Sequence, residues 1–187
     1  MKKKNLIVMC GVPGAGKDTW IENNIYKING TVNVVSRDKI RFSLLEDLME
    51  LGIQRDNLFS SNKLYFSKEK EVFKKFIEEI SDSLKYYDIT IANATHLNEA
   101  SRSKLFRNIS KELSSDINVT AMVIKTDLKT CLEHNRLRAG LSFVPEEQIK
   151  NMYSRFTMPA LEEGFDDIII YEKDKNNKIK YSFKENN

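Results

Sequence analysis

The chain has 187 residues, of which 41% are hydrophobic and 30% charged, and a formal net charge of +3. That length suits one domain with its own core and no need of disulfide staples, the charge is milder than that of a dedicated duplex-binding domain, and no apolar run approaches the roughly 20 residues of a membrane span. Met1 to Lys4 is basic, but the apolar run behind it, Leu6 to Cys10, is too short for a signal peptide and leads into a glycine-rich loop. A cytoplasmic protein with no membrane partner is therefore expected. The only two cysteines, Cys10 and Cys131, are expected to be reduced and buried, and with only two histidines neither a zinc site nor a His-rich metal centre is indicated.

Along the chain, short β-rich runs alternate with longer helical patterns. Asn5 to Cys10 predicts a buried strand, Lys17 to Lys27 a helix, and Thr31 to Val35 a second strand. Asp38 to Glu50 has Ile40, Leu44, Leu45, Leu48 and Leu51 at helical spacing. Lys63 to Tyr86 predicts a long helix with Phe66, Phe73, Phe76, Ile77, Ile80 and Leu84 on its apolar side. Asp88 to Ala92 is a third strand, Asn98 to Leu113 a helix that Asn98 can cap, Ile117 to Lys125 a fourth strand and Asp127 to Arg138 a helix. Pro145 is placed as the first residue of a helix running to about Phe156. Phe165 to Tyr171 is a fifth strand, and a polar turn over Lys173 to Asn177 leads to a possible sixth at Ile179 to Phe183. No repeat or linker divides residues 1–187, so one domain is expected. Strands alternating with helices imply an α/β fold, a three-layer αβα sandwich on a mostly parallel five-stranded sheet. In such sheets the ligand lies at the carboxyl ends of the strands.

Gly11-Val12-Pro13-Gly14-Ala15-Gly16-Lys17-Asp18-Thr19 follows the first strand and opens the first helix. Up to its lysine it fits the Walker A phosphate loop. Glycines let the backbone curl so that N–H groups point inward at phosphate oxygens. The helix N-terminus adds its positive dipole end, and Lys17 a charge for the β- and γ-phosphates. After the lysine the motif asks for Ser or Thr, whose hydroxyl ligates Mg²⁺, but Asp18 stands there and Thr19 follows. Asp18 either ligates Mg²⁺, directly or through water, or caps the helix N-terminus.

Ser36-Arg37-Asp38-Lys39-Ile40-Arg41 follows the second strand. A kinase acting on a hydroxyl needs a carboxylate to orient it and take its proton, and Asp38 would sit at that strand end. Arg41, one helical turn on, would share its face and could grip a substrate phosphate with two hydrogen bonds. The plainer reading is a helix-start Asp with Arg41 as its surface ion-pair partner. Further along, a helix ends in His134-Asn135-Arg136-Leu137-Arg138, and Ala139 to Val144 bridges to Pro145. A mobile arginine closing over the γ-phosphate stabilises the charge built up in phosphoryl transfer. Arg136 and Arg138 are the candidates, Arg138 preferred, in a helical lid over about residues 134–157. Their plainer reading is helix-end arginines that complement the dipole.

These segments, in this order, resemble the kinase domain of phage-type polynucleotide 5′-hydroxyl kinases and related small P-loop kinases. The carrying residues are Gly11 to Trp20, Ser36 to Arg41, Ile91 to Asn98 with Arg102, Asn135 to Arg138, Val144-Pro145 and Met152-Tyr153. The resemblance reaches to about Pro159. It implies ATP and Mg²⁺ as cofactors, Lys17 as the phosphate ligand, Asp38 as the base, Arg41 on the acceptor phosphate and Arg138 as the lid arginine. The family's third strand usually ends in Asp, where this chain has Asn93-Ala94; Asn93 and Thr95 remain candidates for substrate hydrogen bonds or ordinary strand-end caps.

Several features point to structure only. The aromatic stripe of the long helix reads as core and Trp20 as packing under the loop, while Lys68 to Lys75 alternates sign like a solvated face. The leading reading is a kinase for the 5′-hydroxyl of a DNA or RNA end, as used in nucleic acid repair. The alternatives are a kinase of a small metabolite, nucleoside, nucleotide or sugar nucleotide (toxin-like), and a non-catalytic ATP-binding module, for which Asp18 is the best argument.

Overall fold

The computed structural model describes residues 3–50, 68–114, 116–139, 142–173 and 179–185. Within them lie six strands, β1 (Lys4–Cys10), β2 (Val32–Ser36), β3 (Ile89–Asn93), β4 (Ile117–Lys125), β5 (Asp167–Lys173) and β6 (Ile179–Glu185). The α-helices among the described residues are α1 (Lys17–Asn24), α2 (Arg37–Glu50), α3 (Glu69–Tyr86), α4 (Glu99–Asn108), α5 (Leu128–Arg136) and α6 (Glu146–Ser154). The sheet order is β2-β3-β1-β4-β5-β6. The first five strands are parallel, with Ile7 opposite Ile91 and Thr120, and β6 adds antiparallel to β5. This is the P-loop kinase fold expected, with the sixth strand closing the edge as a hairpin partner.

The alternation of β1 sets up the three layers. Leu6, Val8 and Cys10 face one core, shared with Ile40 and Leu44 of α2, Val72, Phe76, Ile80 and Leu84 of α3, and Leu105 of α4. Met9 faces the other, shared with Trp20 and Ile21 of α1, Cys131 of α5 and Ile149 of α6. Successive strand residues point to opposite faces, so a strand buried on both sides reads as a continuous apolar run. In α3 the buried apolar residues recur every four positions, which places them in one stripe. Fully burying a side chain of this size contributes roughly 1.5–3 kcal/mol. Trp20 is buried and packs inside, as expected, and both cysteines are free and buried.

Helix ends differ from the sequence expectation by local chemistry. Asn98 caps α4: Oδ1 accepts from the Ser101 N–H at 3.0 Å, and Ser101 Oγ accepts from the Asn98 N–H at 3.1 Å. That helix stops at Asn108 and not Leu113, because Ile109 leaves helical geometry and turns fully into the core. The helix after the phosphate loop stops at Asn24 and tightens into a 3₁₀ turn, Ile25–Lys27. Pro145 is the N-cap of α6 and not its first residue, since its extended ψ of 136° lies outside the helix. Positions 63–67 and 174–177 of the expected long helix and polar turn lie outside the described residues.

Strand order reverses around β1: the chain leaves it for β2 and β3 on one side, then returns to β4 and β5 on the other. The crevice beyond the carboxyl ends of β1, β3 and β4 is therefore where this topology collects ligand-facing loops.

Candidate active site

The loop after β1 is tied down on all sides. Its Gly11 N–H donates to the Thr95 carbonyl beyond β3 at 3.0 Å, and the Ala15 N–H to Val12 at 3.2 Å. Thr126, just after β4, donates its hydroxyl to the Ala15 carbonyl at 2.8 Å. The His134 ring of α5 donates Nδ1–H to the Gly14 carbonyl at 2.9 Å. Gly14 has φ +81°, and a Cβ there would meet the Cys131 carbonyl oxygen at 2.3 Å. Gly16 has φ +100°, yet a Cβ there would meet nothing within 4 Å. The first glycine is required by contact with α5; the second lines open space at the mouth of α1.

Gly16 is the N-cap of α1 and has no side chain with which to satisfy the first-turn N–H groups. Those donors are left for an anion. Lys17 is buried, and its Nζ donates to the Gly11 and Val12 carbonyls at 2.9 and 3.0 Å. Burial pulls its pKa down, opposed first by Asp18 and then by Asp38, while Arg138 lowers it further. Charged residues from three separate segments, Asp18, Asp38 and Arg138, thus act on one point. The donor set fits a triphosphate: an open glycine, free helix-end N–H groups and a lysine bonded only to loop carbonyls.

Asp38 and Arg41 form the ion pair that their spacing predicts, and Arg41 also donates to Glu69 of α3 at 3.1 Å. Arg37 reaches the same Glu69 carboxylate. Asp38 is 67% exposed against 10% for Arg41, so the carboxylate can meet a ligand while the guanidinium is held behind it. Nothing in the sequence pointed to Glu69, which lies 28 residues from Arg41 in a run read as a solvated face.

Asn93 does not stand free as a strand-end donor. Its Nδ2 donates to Asp18 Oδ1 at 2.7 Å, across 75 residues of sequence. Asp18 is exposed in the first turn of α1. Among the described residues no group of three or more His, Cys, Asp or Glu side chains converges as a metal cage. Mg²⁺ usually takes only one or two carboxylates beside substrate phosphates and water, so Asp18 is a sufficient protein donor for it. The Thr95 carbonyl holds Gly11; Thr19 is exposed beside Asp18.

The two arginines of the expected lid part company. Arg136 is paired with Glu146 at the start of α6, at 2.8 Å. Arg138 is half-buried near the Ser142 carbonyl, 3.5 Å away, and acts on Lys17 through its charge. Just before them Asn135, fully buried, clasps Val144 by Nδ2 to O at 2.7 Å and by the Val144 N–H to Oδ1 at 3.1 Å. This clasp returns the chain from α5 to α6. Behind the site, Arg102 is fully buried, paired with Glu163 at 2.6 Å, and bonded to the His96 and Thr157 carbonyls at 3.2 and 3.0 Å. It anchors the segment that follows α6. His96, at φ 38°, donates Nδ1–H to the Met9 carbonyl at 2.8 Å, and burial lowers its pKa to about 4. The sequence named Asn135 near the end of a predicted helix but not what it touches, and it gave no signal for Thr126.

The similarity of this chain to known proteins lies at the level of family and fold. A family model described as AAA domain (AAA_33) matches residues 6–159. An L-seryl-tRNA(Sec) kinase of Methanococcus maripaludis is 29% identical over 189 residues, which is 95% of this chain and 62% of that protein, so the chain spans less than two thirds of the relative's length. Among solved structures, that of the PezAT chromosomal toxin-antitoxin system of Streptococcus pneumoniae aligns at TM-score 0.61 and 20% identity, over 96% of this chain and 70% of that one. A fungal RNA kinase aligns at TM-score 0.55 and 15% identity, over 94% and 78%. These structures share the fold. No helix among the described residues is long and apolar enough to cross a membrane. With a phosphate loop after β1 and a family model over most of its length, the chain belongs to the AAA domain family AAA_33, as a P-loop domain of the kinase type.

Proposed function

We propose that this chain transfers the γ-phosphate of ATP to a hydroxyl carried by a nucleic-acid end. The observation that carries the reading is the Asp38–Arg41 pair, with Asp38 exposed and acting through its charge on the buried Lys17 of the phosphate loop. A base, a guanidinium and a phosphate-loop lysine are the parts that phosphoryl transfer to an alcohol needs. Two of the similar proteins carry RNA in their names, the L-seryl-tRNA(Sec) kinase and the fungal RNA kinase.

In this mechanism the loop N–H groups and Lys17 hold the β- and γ-phosphates. Asp38 orients the acceptor hydroxyl and takes its proton as the oxygen attacks the γ-phosphorus. The bond from the γ-phosphorus to the bridging oxygen breaks, and ADP leaves with the charge that Lys17 and Arg138 offset. Mg²⁺, when bound with ATP beside Asp18, supplies further neutralisation of the phosphates. Arg41 grips the acceptor's neighbouring phosphate.

A second reading has one observation in its favour. Arg41 already faces two carboxylates, Asp38 and Glu69, which leaves it little net positive field for a phosphate. That balance suits an acceptor with no phosphate beside its hydroxyl, such as a small alcohol or a seryl group.

The test is transfer of labelled γ-phosphate from ATP to 5′-hydroxyl DNA and RNA oligonucleotides, beside seryl-tRNA, nucleosides, nucleotides and sugars. Labelled oligonucleotide ends that disappear with Asp38→Asn, while ATP binding persists, are expected. Silent oligonucleotides beside a labelled small or seryl acceptor would establish the second reading. Full transfer by Asp38→Asn would remove the base assignment.

A further inference from the structure

The contact between Asp18 and Asn93 has an unusual distribution of charge. In P-loop proteins the ion that accompanies the nucleotide is held from two sides: by a hydroxyl just after the loop lysine and by an acid at a strand end. Here the position after Lys17 holds the acid, and the strand end facing it holds a neutral amide, with Asn93 Nδ2 donating to Asp18 Oδ1 at 2.7 Å. Asn93 is 7% exposed at the last position of β3, opposite Ser36 of β2. Its amide is therefore held by the sheet, while Asp18 projects from the first turn of a helix.

Two carboxylates at this distance could not both be ionised without strong repulsion. An amide avoids that and also fixes the carboxylate, since one oxygen is occupied and Oδ2 lies outside the bond. Between them the two side chains carry a single negative charge, as a hydroxyl facing an acid would. A carboxylate beside bound phosphates would repel them unless a cation lay between. Capping of α1 does not account for Asp18, because Gly16 is the N-cap and Asp18 is turned to β3.

We propose that the acid and its neutral partner have exchanged places: Asp18 is the anionic protein ligand of the divalent ion that accompanies the nucleotide, and Asn93 is its positioning residue. The proposal rests on the nucleotide-binding half of the reading above and not on the identity of the acceptor. It also reassigns Asn93, which orients Asp18 and does not bind acceptor.

The experiment measures binding without any acceptor, so a wrong acceptor leaves it untouched. Affinity for the non-hydrolysable β,γ-imido analogue of ATP is measured by calorimetry with and without Mg²⁺. Mn²⁺ affinity of the protein–nucleotide complex is measured by titration of the free-ion resonance signal. In the unmodified chain Mg²⁺ tightens nucleotide binding. In Asp18→Asn that gain is expected to fall by about 10- to 100-fold, as does Mn²⁺ affinity. Without Mg²⁺, Asp18→Asn binds nucleotide as tightly as the unmodified chain or more tightly, because the repelling charge is gone. Asn93→Ala should lose about 10-fold in Mn²⁺ affinity with its melting transition retained. The double exchange Asp18→Ser with Asn93→Asp should recover the Mg²⁺ gain that each single change loses. An unchanged Mg²⁺ gain in Asp18→Asn would overturn the proposal, as would weakening that is equal with and without Mg²⁺. Failure of the unmodified chain to bind nucleotide at all would overturn this proposal and the kinase reading together.

Discussion

The phosphate loop and the proposed acceptor side of the site are built differently. The loop is a closed piece of backbone. Lys17 bonds within six residues of itself, Gly14 sits against the Cys131 carbonyl, and side chains from the residue after β4 and from α5 hold the Ala15 and Gly14 carbonyls. The acceptor side is a set of ion pairs between separate helices, Asp38 and Arg41 on α2 with Glu69 on α3, partly open to water. Backbone packing permits one geometry, whereas exposed charged side chains can exchange partners at little cost. The loop is thus suited to one ligand, the triphosphate, and the acceptor side to an adjustable one. A rigid cradle should fail abruptly when altered and the charged side gradually.

Lys17→Ala sets the upper end of that contrast. Loss of the only side-chain cation that the loop itself brings to the phosphates should cost at least about 10³-fold in turnover. Rates near normal in a transfer assay would put the cradle elsewhere.

Next comes a pair of glycines. Gly14→Ala places a Cβ 2.3 Å from a backbone oxygen at φ +81° and should cost about 3–4 kcal/mol of stability. Gly16→Ala carries only the conformational cost at φ +100°, about 1 kcal/mol, yet should weaken ATP because its methyl fills the open space. Denaturant melts beside ATP titrations separate the two. Equal destabilisation would mean that the loop is not wedged against α5.

Behind the loop, buried His96 makes the cradle acid-sensitive. Its pKa falls from 6.5 to about 4 on folding, so the unfolded chain binds more protons between those values. Stability is undiminished above pH 6.5 and is lost as pH falls towards 4, by roughly 3 kcal/mol in all. His96→Asn, which tolerates the positive φ, should flatten that part of the stability profile. An unaltered slope between pH 6.5 and 4 would show that other groups carry it.

On the adjustable side the smallest effect is expected. Arg41→Ala should raise the acceptor KM about 10-fold and leave ATP binding unchanged, with Glu69 still paired to Arg37. An equal loss for phosphate-free acceptors would favour the second reading of the site.

Local order in the sequence was enough for the loop, the strand–helix alternation and the Asn98 cap. The run Gly11 to Lys17 can hardly follow a strand and open a helix without curling into a cradle, because glycine spacing and helix polarity act over a few residues. Asp38 and Arg41 were legible for the same reason, since three residues on a helix make neighbours. Asn98 was readable as a cap from its place before a helical pattern.

What the tertiary structure decided is every partnership across the sheet. Asn93 meets Asp18, 75 residues away in sequence, because β3 lies beside β1. Glu69 meets Arg41, and Arg102 meets Glu163, through helix packing that no periodicity encodes. Arg136 and Arg138 also part company only in three dimensions, where Glu146 pairs with the first and the charge of the second acts on Lys17. Propensity and capping are short-range effects and can be read along a chain. Ion pairs and amide contacts depend on which elements become neighbours, and burial of the two apolar faces of one sheet determines that only when the whole chain has folded.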